Sequence, residues 1–390
     1  MATTAATMSN VPSMVQARSA SAAAPWSIYA VLFASTSVIV GVIWDISWHR
    51  TIGRDTFWTP AHLAIYLGGV VAGLSCGWVA LRTTFAGAAA ERDAAVRFWG
   101  FRAPLGAWVC IWGAFAMVTS APFDDWWHNA YGLDVKIISP PHMLLALGIG
   151  AIQCGAMLMA LACQNRAEGD RRVLGRLYLL GAGLLLLLAA TLGMEYIQRW
   201  DMHRSLFWQF SAAAFTFFLV SGARASIARW PATAIALVYT VISQAMVIIL
   251  PLFAAQPLLG PIYVQVDRFM PPDFPLLLIV PALAIDLVMQ RLSRRTGDWI
   301  LAAALAAVFL AAFLAAQWPF ADFLMTPWAR NWFFISHRMA YSVDPSMQER
   351  FYVLAPPDNL AAGLPIALAL GFVSARMGLW WGSWMARVRR

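Results

Sequence analysis

The chain is poor in charge. Only 12% of its 390 residues are Asp, Glu, Lys or Arg, where a soluble domain carries about 25%. Lysine is nearly missing: Lys136 is the one exception among 27 basic residues, the rest being Arg. There are four cysteines, Cys76, Cys110, Cys154 and Cys163, and no CxxC pair. That spacing argues against a disulfide framework or a thiolate cluster and for small buried side chains. No nucleotide-binding, haem-attachment or nucleophile motif is visible. The net charge of +8 does not indicate nucleic acid, because the arginines are scattered between apolar runs instead of forming a basic patch.

What is present is apolar. The chain is 61% hydrophobic with a mean hydropathy of +0.66, and runs of roughly 20 apolar residues recur, long enough to cross the hydrocarbon core. The expected fold is an all-α polytopic membrane protein with about ten transmembrane helices, near 25–46, 61–82, 104–122, 141–163, 174–196, 206–222, 231–255, 274–290, 299–319 and 359–376. Pro251, Pro275 and Pro281 are expected to kink or end their helices. Arginines such as Arg82, Arg102, Arg166, Arg224, Arg291 and Arg376 fall in alternate connections, and acids crowd the opposite ones. The positive-inside rule then predicts helical hairpins with both termini cytoplasmic, in a bacterial inner or intracytoplasmic membrane, and the acid- and His-bearing loops toward the periplasm. Residues 1–24, rich in Ala, Ser and Thr, read as a disordered cytoplasmic tail. Residues 25–165 read as a duplicated two-hairpin region and 166–390 as further membrane helices of unassigned role.

Four of the six histidines sit in a repeated pattern. The first copy, WDISWHRTIGRDTFWTPAHLAIYLG, runs from Trp44 to Gly68, and the second, FDDWWHNAYGLDVKIISPPHMLLALG, from Phe123 to Gly148. In each an acid precedes a His by four: Asp45 and His49, then Asp124 and His128. On a helix that spacing puts both on one face. A second histidine follows, His62 by 13 residues (62 − 49) and His142 by 14 (142 − 128). Gly53 matches Gly132 and Asp55 matches Asp134. Thr59-Pro60 and Ser139-Pro140 supply an N-cap residue and a first-position proline, which place His62 and His142 in the opening turn of a helix. The positive end of the helix dipole disfavours imidazolium there and keeps the ring available as a ligand.

Two readings of either copy are open. Asp and His at a helix end can be solvated interfacial residues beside an aromatic belt of Trp44, Trp48, Trp126 and Trp127. Alternatively, two histidines and a carboxylate form a three-donor metal set. Duplication of acid, His, Gly, Asp, Pro and His together favours the metal: a remnant of duplicated turn chemistry accounts for Gly and Pro but poorly for four histidines. The donor set by itself suits copper, iron or zinc. Asp55 and Asp134 are expected to orient ligands from outside the donor set or relay protons.

The stretch WHRTIGRDTFWTPAH, Trp48 to His62, resembles the C-type membrane subunit of the particulate methane and ammonia monooxygenases. Those copper enzymes carry an Asp, a His four later and a second His 13 later in a context like WHQTxxRDTxFTPSH. Asp45, His49 and His62 fit, as do Arg54, Asp55, Thr56, Thr59 and Pro60. The family's downstream set of Asn, His and His matches Asp124, His128 and His142, with Asp in place of Asn, which makes that set more anionic. The likeness covers roughly residues 25–165. It implies copper at both sets and dioxygen-dependent oxidation of a small substrate, with Asp124, His128 and His142 as the first catalytic candidates and Asp45, His49 and His62 as the second. It also implies electrons from outside and partner subunits including a cupredoxin-bearing one, in an oligomer within the lipid. A rival reading is a membrane copper-binding or transport protein, or a structural subunit, without catalysis of its own. Polar groups concentrated at one end of the apolar segments count against transport.

Secondary features are weaker. MEYIQRWDMHRS, Met194 to Ser205, is expected to form ion pairs that tie hairpins together, with Glu195 a candidate for facing the outer chamber. Asp286 is expected to pair with Arg291, and His337 to lie at the surface. Met117, Met143, Met157, Met159, Met194 and Met202 read as packing residues instead of a copper relay.

Overall fold

A computed structural model describes residues 25–132, 139–293 and 295–390. The N-terminal tail, Asp134 and Arg294 lie outside the described residues. The chain is mostly helical. Its principal helices are α1 (Trp26–Thr51), α2 (Pro60–Phe85), α3 (Leu105–Tyr131), α4 (Pro140–Arg166), α5 (Arg172–Leu192), α6 (Ser205–Ala225), α7 (Pro231–Ile249), α8 (Ile279–Leu292), α9 (Asp298–Leu324) and α10 (Leu360–Met385). Among the described residues nine of these, all but α8, are long and apolar enough to cross a membrane. The chain is therefore a polytopic, helical integral membrane protein. α8 has 14 residues, too few at 1.5 Å rise to span alone. The run expected to begin at 274 starts in extended chain around Pro271, Pro272 and Pro275, which lacks the N–H groups a helix needs. A small antiparallel ribbon, β1 (Val96–Phe98) with β2 (Phe101–Ala103), is turned by Trp99 and Gly100 at positive φ.

Several helices run past their expected ends, α9 to Leu324 and α10 to Met385 among them, and the site depends on two of these. α1 continues to Thr51 instead of stopping near 46, and α3 passes through Pro122 to Tyr131 instead of stopping there. Each acid and the histidine four residues on are thus carried on helix.

Small residues set how closely the first four helices approach. A Cβ on Gly41 would lie 2.9 Å from the Ala61 carbonyl oxygen, and one on Gly68 2.6 Å from that of Ala34. These pairs make α1 and α2 antiparallel and nearly touching. Gly113 and Gly148 do the same for α3 and α4: a Cβ on either would come within 2.8 Å of the other's carbonyl oxygen. Close backbone approach at small residues is how helices associate in lipid, where burying apolar side chains gives no drive. α2 also packs on α3, and α1 on α4, so the four form a closed bundle. α5 lies against α1 and α4, and in the second half α10 packs along both α6 and α9.

The second half reaches back over the first. The segment 253–278 folds on itself, with Ala255 N–H donating to Asp267 O (3.0 Å) and Phe269 N–H to Phe253 O (3.2 Å). It then crosses the end of α1. The long connection after α9 packs on it, Tyr263 and Val264 both donating to Tyr341 O (2.8 and 3.0 Å).

Three expectations are corrected or filled in. Asp286 does not pair with Arg291. It accepts from Ala232 N–H (3.0 Å), Thr233 N–H (2.8 Å) and the Thr233 hydroxyl (2.8 Å), capping the start of α7, whose first N–H groups have no partner within the helix. The Met194–Ser205 stretch does tie elements together. Arg199, buried, meets Asp273 at 3.3 Å, and His203, stacked on Trp318, meets Asp322 at the end of α9 at 3.3 Å. Thr59 does not cap α2 with its side chain. Its hydroxyl accepts from Thr56 N–H (2.8 Å) in the preceding loop, whereas the Ser139 hydroxyl does accept from His142 N–H (3.4 Å).

Candidate metal centre

The first cluster forms where α1 ends and α2 begins. Asp45 and His49 share a face of α1, and the Gly41 contact brings the opening turn of α2 alongside. His62 Nε2 lies 3.2 Å from Asp45 Oδ1, and His49 Nε2 3.7 Å from Asp45 Oδ2. Asp55, from the loop between the helices, enters the same cluster. Its Oδ2 is 3.5 Å from His49 Nε2 and 3.4 Å from His62 Nε2. The donor atoms of Asp45, His49 and Asp55 all lie within 4.8 Å of one another.

The second cluster repeats the first at the junction of α3 and α4. His128 Nε2 lies 3.4 Å from Asp124 Oδ2, and His142 Nε2 3.4 Å from Asp124 Oδ1. The three side chains offer donor atoms within 4.8 Å of one another. Asp134, the counterpart of Asp55, lies outside the described residues.

The outer nitrogens of two rings are held by the backbone. His62 Nδ1 lies 2.9 Å from Thr56 O, and His128 Nδ1 lies 3.2 Å from Gly132 O. A carbonyl oxygen only accepts, so each Nδ1 carries the proton and a neutral ring turns the Nε2 lone pair toward the carboxylates. Metal-binding histidines are oriented in this way.

A proton or a cation must then lie between these acceptors. Charge-assisted N–H···O contacts run about 2.7–2.9 Å. The contacts here are longer, 3.2–3.7 Å. Donors bound at roughly 2.0–2.1 Å in a tetrahedral shell sit about 3.3–3.4 Å apart. The residues present therefore fit a small divalent cation. Hydrogen bonding from His49, when that ring is protonated, holds the Asp55 carboxyl below its ordinary value, so protons compete with a cation here.

The loop that presents Asp55 is pinned on both sides. Gly53 has φ +82°, and a Cβ on it would overlap the Tyr341 hydroxyl. Trp48 Nε1–H donates to Arg54 O (2.8 Å). The Arg54 side chain is itself exposed, so it is the backbone of this residue that serves the site. Leu258 N–H donates to Ile52 O (2.9 Å), Met270 N–H to the Thr51 hydroxyl (2.8 Å), and the Ser47 hydroxyl to Met270 O. Phe269 packs on Trp44 and Trp48. Tyr66, one turn beyond His62, lies beside its ring, with centroids 6.1 Å apart.

Glu195 is exposed on a short 3-10 turn and belongs to neither cluster. His337 is exposed beside Arg338. Residues that the sequence pattern did not mark are Tyr341, Phe269 and Met270, which hold the first cluster from more than 200 positions away. No short-range signal points to such partners. No family model, curated protein or solved structure matches this chain.

Proposed function

We propose that this is a copper-binding integral membrane protein that takes part in dioxygen-dependent oxidation of a small substrate, akin to the C-type membrane subunit of the particulate methane and ammonia monooxygenases. The observation that carries the reading is the doubled geometry: an acid and a histidine on one helix end, met within 3.2–3.4 Å by a histidine from the next helix start. Asp45, His49 and His62 would hold one ion; Asp124, His128 and His142 would hold the other. Copper bound there supplies one-electron redox chemistry and a coordination position for dioxygen.

The chain's own groups prepare that chemistry. Thr56 O and Gly132 O hold the tautomers of His62 and His128. The carboxylates lower the net charge of a bound cation near the apolar phase. Phe123, Trp126, Trp127 and Tyr131 pack on one another along the part of α3 that carries Asp124 and His128. Asp124, where the resembled family has Asn, favours a more oxidised ion. The second cluster is assigned the substrate chemistry, and a periplasm-facing orientation follows from the arginine distribution.

The test is metal analysis with paramagnetic resonance on the purified full-length protein and on a His49→Ala/His128→Ala variant. Wild type should carry copper and the double variant should lose it; unchanged metal content would sink the assignment. Substrate-dependent oxygen uptake in membranes then separates an oxidising role from copper handling without catalysis.

A further inference from the structure

The two clusters are not equivalent in how they surround their centres. In the first, two carboxylates each approach both imidazoles: Asp45 reaches His62 with Oδ1 (3.2 Å) and His49 with Oδ2 (3.7 Å), while the single atom Asp55 Oδ2 lies 3.4 Å from His62 and 3.5 Å from His49. The two Asp55 contacts are near the donor separation of roughly 3.3–3.4 Å expected around one small ion. We propose that Asp55 is a fourth protein donor, so that the first cluster is a closed two-His, two-Asp site which retains its ion and takes no substrate. This deepens the copper reading above and rests on it.

Three observations carry the assignment. Asp55 sits as near to the histidines as Asp45 does, although it comes from a loop and Asp45 from a helix. That loop is built to hold it, with Gly53 packed under Tyr341, Trp48 bonded to Arg54 O, and the Thr56–Thr59 turn closed by two hydrogen bonds. The charges also balance. Two carboxylates and a divalent ion sum to zero, whereas Asp45 alone would leave a net positive charge at the edge of an apolar phase, where an uncompensated charge is costly. Closed four-donor sites are structural, and reactive ones keep a position open.

The test uses full-length protein in the His128→Ala background, so that added copper(II) reports the first cluster alone. Asp55→Asn should lower copper affinity by more than about 100-fold, beyond the effect of losing an outer partner, and change the paramagnetic resonance spectrum. Asp55→Glu keeps the carboxylate and should bind copper with an altered spectrum. Azide, a small exogenous ligand, should leave the parent spectrum unchanged because the shell is full. Unaltered affinity and spectrum in both Asp55 variants, while Asp45→Asn abolishes binding, would remove Asp55 from the shell yet leave the copper site standing. An azide-induced change would overturn closure. Absence of copper from the parent, with Asp45→Asn indistinguishable from it, would overturn both this assignment and the reading beneath it.

Discussion

The two halves of the duplication share one pattern and sit in different surroundings. In the first cluster exposure runs from 20% at His62 to 48% at His49, and the strap from the second half of the chain holds the end of α1 and the loop after it. In the second it runs from 26% at His128 to 34% at His142 and Asp124, and the flanking aromatic group is local, from the end of α3. Ligand spacing thus sets what can be bound, and packing sets how firmly and with what access. A site clamped through Ser47, Thr51, Gly53 and Ile52 is suited to keeping an ion. The second cluster sits instead beside Trp126 and Trp127 of its own helix.

Removing one histidine from each side puts the contrast under the greatest stress. His62→Ala and His142→Ala should each cost about one copper equivalent and leave the other cluster loaded. Affinity at the damaged site should fall by more than about 100-fold, beyond the effect of losing an outer partner. Metal stoichiometry with spectral deconvolution checks it, and loss of both ions from either variant would make the clusters a single unit.

The glycines offer the next largest contrast. Gly53 and Gly132 both lie at positive φ, +82° and +88°, but Gly53 abuts Tyr341, while no described residue comes within 4 Å of a Cβ on Gly132. Gly132→Ala should cost about 1 kcal/mol of backbone strain. Gly53→Ala adds an overlap with a buried ring and should cost about 2–3 kcal/mol, along with copper from the first cluster only. Thermal melts of the two variants in detergent decide it; equal losses would mean the strap does not bear on the loop.

A smaller effect is expected from the strap's hydrogen bonds. Ser47→Ala and Thr51→Val each remove a bond to the Met270 backbone and should cost about 1 kcal/mol, near the value for leaving a buried partner unpaired. Proteolysis in the 253–278 segment should quicken in both variants, while the second cluster keeps its metal.

The smallest concerns acid. Asp358 accepts from the Ser205 backbone N–H at 2.8 Å and from its hydroxyl, tying the last connection to the start of α6, and these bonds hold its carboxyl below the usual value. A carboxyl lowered on folding stabilises the protein above its unfolded value, about 3.9, and that contribution is lost as pH falls through the folded value. Asp358→Asn should therefore flatten the acid limb of the melting curve below about pH 4 and leave the neutral range little changed. An identical acid limb in the variant would show that another carboxylate sets it.

Much of this architecture is legible in the chain itself. Apolar length and the paucity of charge predict nine of the ten expected membrane helices, with ends off by as much as nine residues at α3 and α10, because the cost of an unpaired peptide group in lipid leaves helix as the form for such runs. The four-residue spacing of Asp45 with His49, and of Asp124 with His128, likewise follows from helix geometry once α1 and α3 are allowed to run on past Ile46 and Pro122. Extended chain before α8 escapes this logic because hydropathy does not register the missing N–H groups of Pro271, Pro272 and Pro275.

Local order is written in the amino acids: which segments are helices, which side chains share a face, and which His stands in a first turn. Other features emerge only when distant segments pack. Asp55 joins the histidines instead of standing behind them, Asp286 caps α7, and Tyr341 and Met270 clamp the first cluster. Helix periodicity and capping act over a few residues and leave a signature at fixed spacing, whereas a loop's final position depends on what packs against it. Here that partner lies more than 200 residues along the chain, and no local rule connects the two.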